Sequence, residues 1–467
     1  MNESQEKETQ IRNENKMGIL PVPKLLFSMS WPIIISMLVQ ALYNVVDSVF
    51  VAMYDPVAGT AALTIAFPIQ NLMIAVAVGL GVGMNALLSR ALGEKSFDRA
   101  NRIAGQGFFL TFCGYLLFLI IGIFAVPFYV STQSGSDALI QQYGTEYLFI
   151  VCMGCIGVFI EITCERLLQS TGKTVLSMAT QMAGAITNII LDPIMIFGFG
   201  MGIRGAAIAT VIGQLVSGAL GIFFNLAFNK EIKLRLCAIL PQARLLKDIL
   251  IIGIPSVLMQ AIGSVMTYCM NMVLGGFEGI GVEAMNVFGV YFKLQSFVFM
   301  PIFGLNNAMG PIIAYNYGAR KRERVMQTFR LSAIGAIAYM LLGFLVFQFF
   351  PTQLLSIFNA SESMLEIGRV ALRTVSLSFI FAGFCIVTSS VCQALGKSIY
   401  SLLTSIGRQL IVLIPVSFLL SLSGNVDLVW LAFPIAEIVS VLLSFFFMIR
   451  VLKKLLPKSM GAPTGCA

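Results

Sequence analysis

The chain has 467 residues, is 58% hydrophobic and only 11% charged, less than half the charged share that keeps an ordinary domain in water. That excludes a soluble globular protein, and the absence of histidine excludes histidine catalysis, histidine metal sites and histidine proton relays. The net charge of +8 is read as loop charge on a membrane protein rather than as a nucleic-acid-binding face.

The polar stretch MNESQEKETQIRNENKMG has neither a cationic n-region nor a short apolar h-region, so no cleavable signal peptide is expected. Beyond it, glycine, proline and charge clusters divide the chain into twelve predicted membrane spans, since uncharged runs such as SVLMQAIGSVMTYCMNMVLGGF (256–277) are long enough to cross a bilayer. The first, 24–53, carries Pro32 and then QALYNVVDSVFV (40–51), with Asp47 mid-span and Tyr43 and Asn44 one turn earlier. The second, 57–88, contains Gln70, and the third covers 101–130. The fourth, 141–169, places Glu161 and Glu165 on one face close to Arg166, and Glu161 fits either the interface or a cavity. The fifth, 173–199, holds TNIILDPIMIFGFG (187–200), in which Asn188 and Asp192 are four residues apart and share a helix face. Pro193 there removes a donor to the Ile189 carbonyl and loosens the helix. The sixth, 203–229, begins near GAAIAT with Thr210.

A basic connector, 230–246, then leads to the second half. The seventh span, 247–275, contains Pro255 and Gln260. The eighth, 281–316, carries Lys293, the one clear mid-span cation in this reading, with Glu283 or a cavity acid as its expected partner. The ninth to twelfth are 325–352, 364–396, 398–423 and 427–452, the last containing Glu437. Lys and Arg gather in the N-terminal stretch, the C-terminal stretch and the even-numbered connections, so both termini are expected in the cytoplasm. Most of the nine cysteines lie in apolar blocks as small hydrophobes. Cys152 and Cys155 lack the second pair that a zinc site needs.

The halves repeat at an offset of about 224 residues: LLQSTGKTVLS (167–177) matches VCQALGKSIYS (391–401), and VGLGVGMNALLSRALG (78–93) matches FGLNNAMGPIIAYNYG (303–318). Six spans per half return the chain to its starting side, so the halves share one orientation about an axis along the membrane normal. The expected architecture is an all-α polytopic membrane protein. Two six-helix lobes, 24–229 and 247–452, form a V-shaped central cleft, flanked by tails 1–23 and 453–467.

Pro32, QALYNVVDSVFV, the Asn188–Asp192 pair, the Gln-x-x-Gly-Lys turns and GAAIAT together resemble the multidrug and toxic compound extrusion (MATE) family, over about residues 20–455. Asp47 and Asp192 in the first half resemble its DinF-like and MepA-like branch. That resemblance implies coupling-ion binding by Asp47, Asn188, Asp192 and Thr210. The glutamate of the NorM-like branch is missing, since Met259, Gln260 and Gly263 stand in its region.

The chemistry of the residues points the same way. A carboxylate inside a bilayer costs a few kcal/mol, so intramembrane acids normally face a polar interior. Two such groups with Asn and Thr oxygens can exchange a proton or share a hard cation such as Na+. At the repeat offset Asp47 answers to Met270, Asn188 to Val412, Asp192 to Val416 and Thr210 to Phe433, so the polar cluster belongs to one half only. Tyr43, Asn44, Gln70, Glu161, Gln260, Lys293 and Glu437 are the candidates for a substrate cavity, and Pro32, Pro193 and Pro255 for helix bending.

The expected function is secondary antiport across a bacterial-type cytoplasmic membrane, exporting amphipathic organic cations in exchange for H+ or Na+. No cofactor, obligate protein partner or nucleic acid is expected, and lipid is the surrounding medium. The rival readings are a lipid-linked precursor flippase, a membrane-embedded enzyme and an ion channel.

Overall fold

The computed structural model describes residues 15–135, 137–234, 236–358 and 361–456, and every regular element among them is helical. Lys7, Arg12, Lys458 and Cys466 lie outside the described residues. Ten helices are long and apolar enough to cross a membrane, and two bent helix pairs raise the number to twelve. In chain order they are α1 Val22–Tyr54, α2 Ala58–Gly93, α3 Phe97–Gln133, α4 Ala138–Met153 with Ile156–Ser170, α5 Thr174–Gly198 and α6 Ile203–Phe228. The second half supplies α7 Ala243–Gly275, α8 Gly281–Gly318, α9 Arg322–Phe349, α10 Glu362–Ser376 with Phe379–Ala394, α11 Ser398–Ser421 and α12 Val426–Leu455.

The fourth and tenth spans, expected as single helices, are bent by 47° and 48°. Both bends have local causes. At the first, Gly154 sits where α6 passes, and a Cβ there would meet the Val211 side chain. At the second, the Ser376 and Ser378 hydroxyls donate to the Arg373 and Val375 carbonyls at 2.9 and 2.7 Å, a local bond that competes with the helical ladder. Of the prolines expected to bend helices, Pro32 and Pro255 lie inside α1 and α7, whose helical assignment is unbroken. Pro193 is followed by a π-helical turn, Ile194–Gly198, as the lost donor predicts.

Helices α1–α6 form one lobe and α7–α12 the other, and the lobes meet where α1 and α2 pack on α7 and α8. The meeting is reciprocal. A Cβ on Gly93 would collide with the Tyr315 carbonyl, and one on Gly318 with the Arg90 carbonyl. These are matching positions of the two repeats, so each lobe offers the same patch to the other, as a pseudo-two-fold axis requires. Gly83 likewise lets α2 lie against the backbone of α7 at Ile249. These close contacts gather at the end that carries Arg90, Lys95, Arg320 and Lys321.

At the same end, part of the segment assigned to the N-terminal tail is docked across both lobes. Asn15 Nδ2 donates to Glu231 Oε2 of the connector at 2.6 Å and to the Thr171 carbonyl of the first lobe at 3.2 Å. On the second lobe, Asn316 Nδ2 and Arg324 Nη2 donate to the Met17 carbonyl at 3.0 and 3.1 Å, Arg324 Nη2 also reaches Leu20 at 2.6 Å, and Lys321 Nζ donates to Gly18 at 3.0 Å. Met17 between them is fully buried.

Candidate functional site

Helix α5 buries its polar side against α1 and α6, because Ser177, Thr180, Asn188 and Asp192 recur at helical spacing among mostly apolar residues. Its close approach to α6 is made at Gly184 and Gly213, where a Cβ on either would stand 2.9 Å from the other's carbonyl oxygen. One turn further along, Asn188 Nδ2 donates to Asp192 Oδ1 at 3.3 Å and to Thr210 Oγ1 at 3.4 Å. Asp47 of α1 lies beside Asp192. Thus the four residues the sequence nominated for the coupling ion converge from three helices.

The cluster is short of donors. Asp47 Oδ1, Asp192 Oδ2 and Asn188 Oδ1 are buried and accept no hydrogen bond. Among the described residues no Lys or Arg forms an ion pair with either aspartate. Two neighbouring carboxyl groups in a water-poor site need a proton or a cation between them, because two unscreened negative charges side by side repel strongly. The oxygen-only donor set suits a proton or a hard monovalent cation rather than a soft metal.

One partner escaped the sequence reading. The Tyr147 ring, 2% exposed, brings its hydroxyl to Gln70 Nε2 at 3.2 Å and alongside Thr210. Gln70 is therefore tied to the cluster through Tyr147 and does not line the central cavity. Nothing local marks Tyr147, since a tyrosine inside an apolar helix reads as packing.

Between the lobes lies a cavity of about 710 Å³, within the range of small-molecule sites. Asn188 and Thr210 line it, whereas Asp47 and Asp192 sit behind that wall, with Asp192 fully buried. Tyr43, Glu161, Gln260 and Glu437 line it as expected. Glu161 faces the cavity rather than an interface and accepts from Ser217 Oγ at 2.8 Å.

Besides Gln70, two nominated residues do not line this cavity. Asn44 is exposed on another face of α1. Lys293 is a correction of a different kind. On α8 the cavity wall is made by residues 291, 292, 295, 299, 303, 306 and 307, and Lys293 lies off that stripe, with its Nζ over the Phe358 ring at 5.8 Å. The cavity's cations are Arg166 and Arg408 instead. Arg166, 6% exposed, spans the lobes by donating to Gln169 Oε1 and to Asn307 Oδ1 of α8, both at 3.0 Å. Arg408 donates to Glu437 Oε2 at 3.1 Å. Arg166, close to the Gly-Lys turn at the end of its predicted span, reads as interfacial, whereas Arg408 lies well inside the predicted span 398–423 and its depth was legible in the sequence.

Comparison with known proteins agrees with this geometry. The MatE family model matches residues 32–194 and 255–419, one segment in each lobe. Multidrug export protein MepA of Staphylococcus haemolyticus is 25% identical over 426 residues, covering 91% of this chain and 92% of its own length. MepA of Staphylococcus aureus is 24% identical, covering 88% and 90%. Among solved structures, a multidrug resistance MATE family transporter of the MOP superfamily in an outward-facing conformation is 25% identical, with a TM-score of 0.86 over 95% of this chain and 98% of that one. A MOP superfamily transporter from Pyrococcus furiosus, 24% identical, shares the fold with a TM-score of 0.87 over 94% and 98%.

Proposed function

Since the chain belongs to the MatE family, and is therefore a multi-pass membrane transporter and not an enzyme, we propose that it is a secondary multidrug exporter that exchanges amphipathic organic compounds, cationic among them, for H+ or Na+. The observation that carries the reading is the pair of neighbouring carboxyl groups, Asp47 and Asp192, off the cavity surface, with Asp192 fully buried and no side-chain cation paired to either among the described residues. Asn188 and Thr210 belong both to that cluster and to the cavity surface, so an ion arriving at the acids and a compound arriving in the cavity press on the same two side chains. Antiport follows if occupation of one site weakens the other, which is the reciprocal coupling that linked binding requires.

Direction is argued from charge. The lobes close against one another at the end bearing the basic loops, and such loops stay in the cytoplasm, so the cavity opens outward in this conformation. The names of the MepA relatives, which describe export, support the same direction.

The test is dye transport in everted vesicles with a proton gradient and a sodium gradient imposed one at a time. Asp192→Asn is expected to cut gradient-driven export by at least about tenfold while the protein still inserts and binds dye, a loss of roughly 1.4 kcal/mol or more in coupling. Export at the normal rate by Asp192→Asn and by Asp47→Asn under both gradients would defeat the reading. A flippase for lipid-linked precursors would instead show lipid translocation that neither substitution couples to an ion.

A further inference from the structure

The two lobes place their charged groups at different depths. In the repeat, Arg408 of α11 stands where α5 has Gly184, and Glu437 of α12 stands where α6 has Gln214. In the first lobe that level is a tight helix crossing, and the polar cluster sits one turn further along. In the second lobe the levels are exchanged. The turn matching Asn188, Asp192 and Thr210 is apolar, with Val412, Val416 and Phe433, and the crossing level holds an ion pair.

The pair is arranged front to back. Glu437 is 3% exposed, and its second oxygen, Oε1, is buried without a hydrogen-bond partner. Arg408 stands in front of it, on the cavity surface, with its side chain 35% exposed. One of its five N–H donors is used by Glu437 at 3.1 Å, and no other hydrogen-bond acceptor is found for it among the described residues. Arg408 is carried by a π-helical stretch, Gly407–Leu413, a distortion common at functional positions. An ion pair with no function costs more in a water-poor interior than well-packed apolar side chains would, so a fold needing only packing there has no use for it. The pair supplies the only charged side chains on the second lobe's wall of the cavity among the described residues, whereas the first lobe's wall bears Glu161 and Glu165 beside Arg166.

We propose that Arg408, braced from behind by Glu437, is a substrate subsite that receives the carboxylate of zwitterionic amphipathic compounds, whose cationic end lies toward Glu161 and Glu165 on the opposite wall. The planar guanidinium has the fork geometry that binds a carboxylate through two parallel hydrogen bonds, which a lysine does not reproduce. This rests on the export reading for its substrate, but not on ion coupling.

The test is equilibrium binding to the full-length protein in lipid nanodiscs, read by fluorescence polarisation and run without any gradient. The probes are rhodamine B, a zwitterion with a free carboxylate, and its methyl ester, a monocation of nearly the same shape. The wild-type chain is expected to favour the acid over the ester by about fivefold to tenfold. Arg408→Gln should abolish that preference by weakening binding of the acid relative to the ester. Because Arg408→Gln leaves Glu437 buried and unpaired, the double variant Arg408→Gln with Glu437→Gln is measured beside it, with thermal unfolding as the folding control. Arg408→Lys should retain part of the preference. Equal binding of the two dyes by the wild type, or an undiminished preference in the folded double variant, overturns the proposal. A coupling failure would appear in Asp192→Asn transport and leave this preference untouched, so the two readings fail separately.

Discussion

Single side chains in this protein hold segments that the helical ladders cannot. Gln106 of α3 is fully buried and spends its whole amide on the connector between lobes. Its Nε2 donates to the Ala238 and Leu240 carbonyls at 2.9 and 2.8 Å, and its Oε1 accepts from Gln242 N at 2.9 Å. Gly105 beside it lets the connector lie against the helix, since a Cβ there would collide with the Ala238 carbonyl. Gln106→Ala leaves three backbone groups without partners, each costing about 1 kcal/mol or more when water cannot replace the bond. Thermal unfolding in detergent is therefore expected to show a loss of about 3 kcal/mol or more, with dye binding at the cavity unchanged in the folded fraction. In the sequence Gln106 is one polar residue in an apolar helix, and its partners lie more than a hundred positions away.

At the scale of the helix, the arrangement of the acids depends on one crossing. Asn188 and Thr210 meet at 3.4 Å because α5 and α6 touch backbone to backbone one turn away, at Gly184 and Gly213. Gly184→Leu would drive a branched side chain into Gly213 and Ser217 and force the helices apart. Such overpacking costs about 1–3 kcal/mol. The larger effect expected is functional, because parting the helices separates Asn188 from Thr210 and opens the acid pair to the cavity. Gradient-driven export should fall at least about tenfold, while Gly184→Ala, which intrudes by one methyl, should keep part of it. Unchanged export by Gly184→Leu would mean that the crossing does not set the cluster. The i, i+4 relation of Asn188 and Asp192 was legible in the sequence because helical periodicity alone puts them on one face. The arrival of Asp47 from α1 was not, because span order says nothing about which helix lies next to which.

For the whole molecule, the conformation is held at the basic end by the docked segment from Asn15 to Leu20 as well as by the lobe contacts. Glu231, which accepts from Asn15, has its carboxyl raised above the ordinary value of 4.5, because burial outweighs the Asn15 donor and the charges of Lys173 and Lys16. The sign follows from linkage. A carboxyl raised in the docked state binds protons more tightly there than in the released state, so docking is strongest below the ordinary value and weakens as pH rises through the raised one. Burial lowers Lys16 and Lys173 from 10.5, so while charged each opposes docking, and that opposition fades as pH rises toward 10.5. Hydrogen exchange of residues 15–21 should therefore become faster as pH is raised from 4.5 toward neutrality, after correction for the intrinsic rate. Glu231→Gln should flatten that dependence, and Arg324→Ala should speed exchange at every pH by freeing the Met17 and Leu20 carbonyls. Exchange unaffected by Arg324→Ala would show that this segment contributes nothing to holding the lobes.

The sequence by itself determined the class, the number of crossings, the repeat and the shared helix face of Asn188 and Asp192, each fixed by local composition, by helical periodicity or by self-comparison of the chain, while the family resemblance joined Asp47 and Thr210 to that pair. Only the tertiary structure decided which charges share a cavity. Depth along a span and the azimuth of a side chain depend on how helices are rotated and where glycines let them touch. That rotation turned Lys293 toward Phe358, tied Gln70 to Tyr147, and brought Arg166 to Asn307 and Arg408 to Glu437.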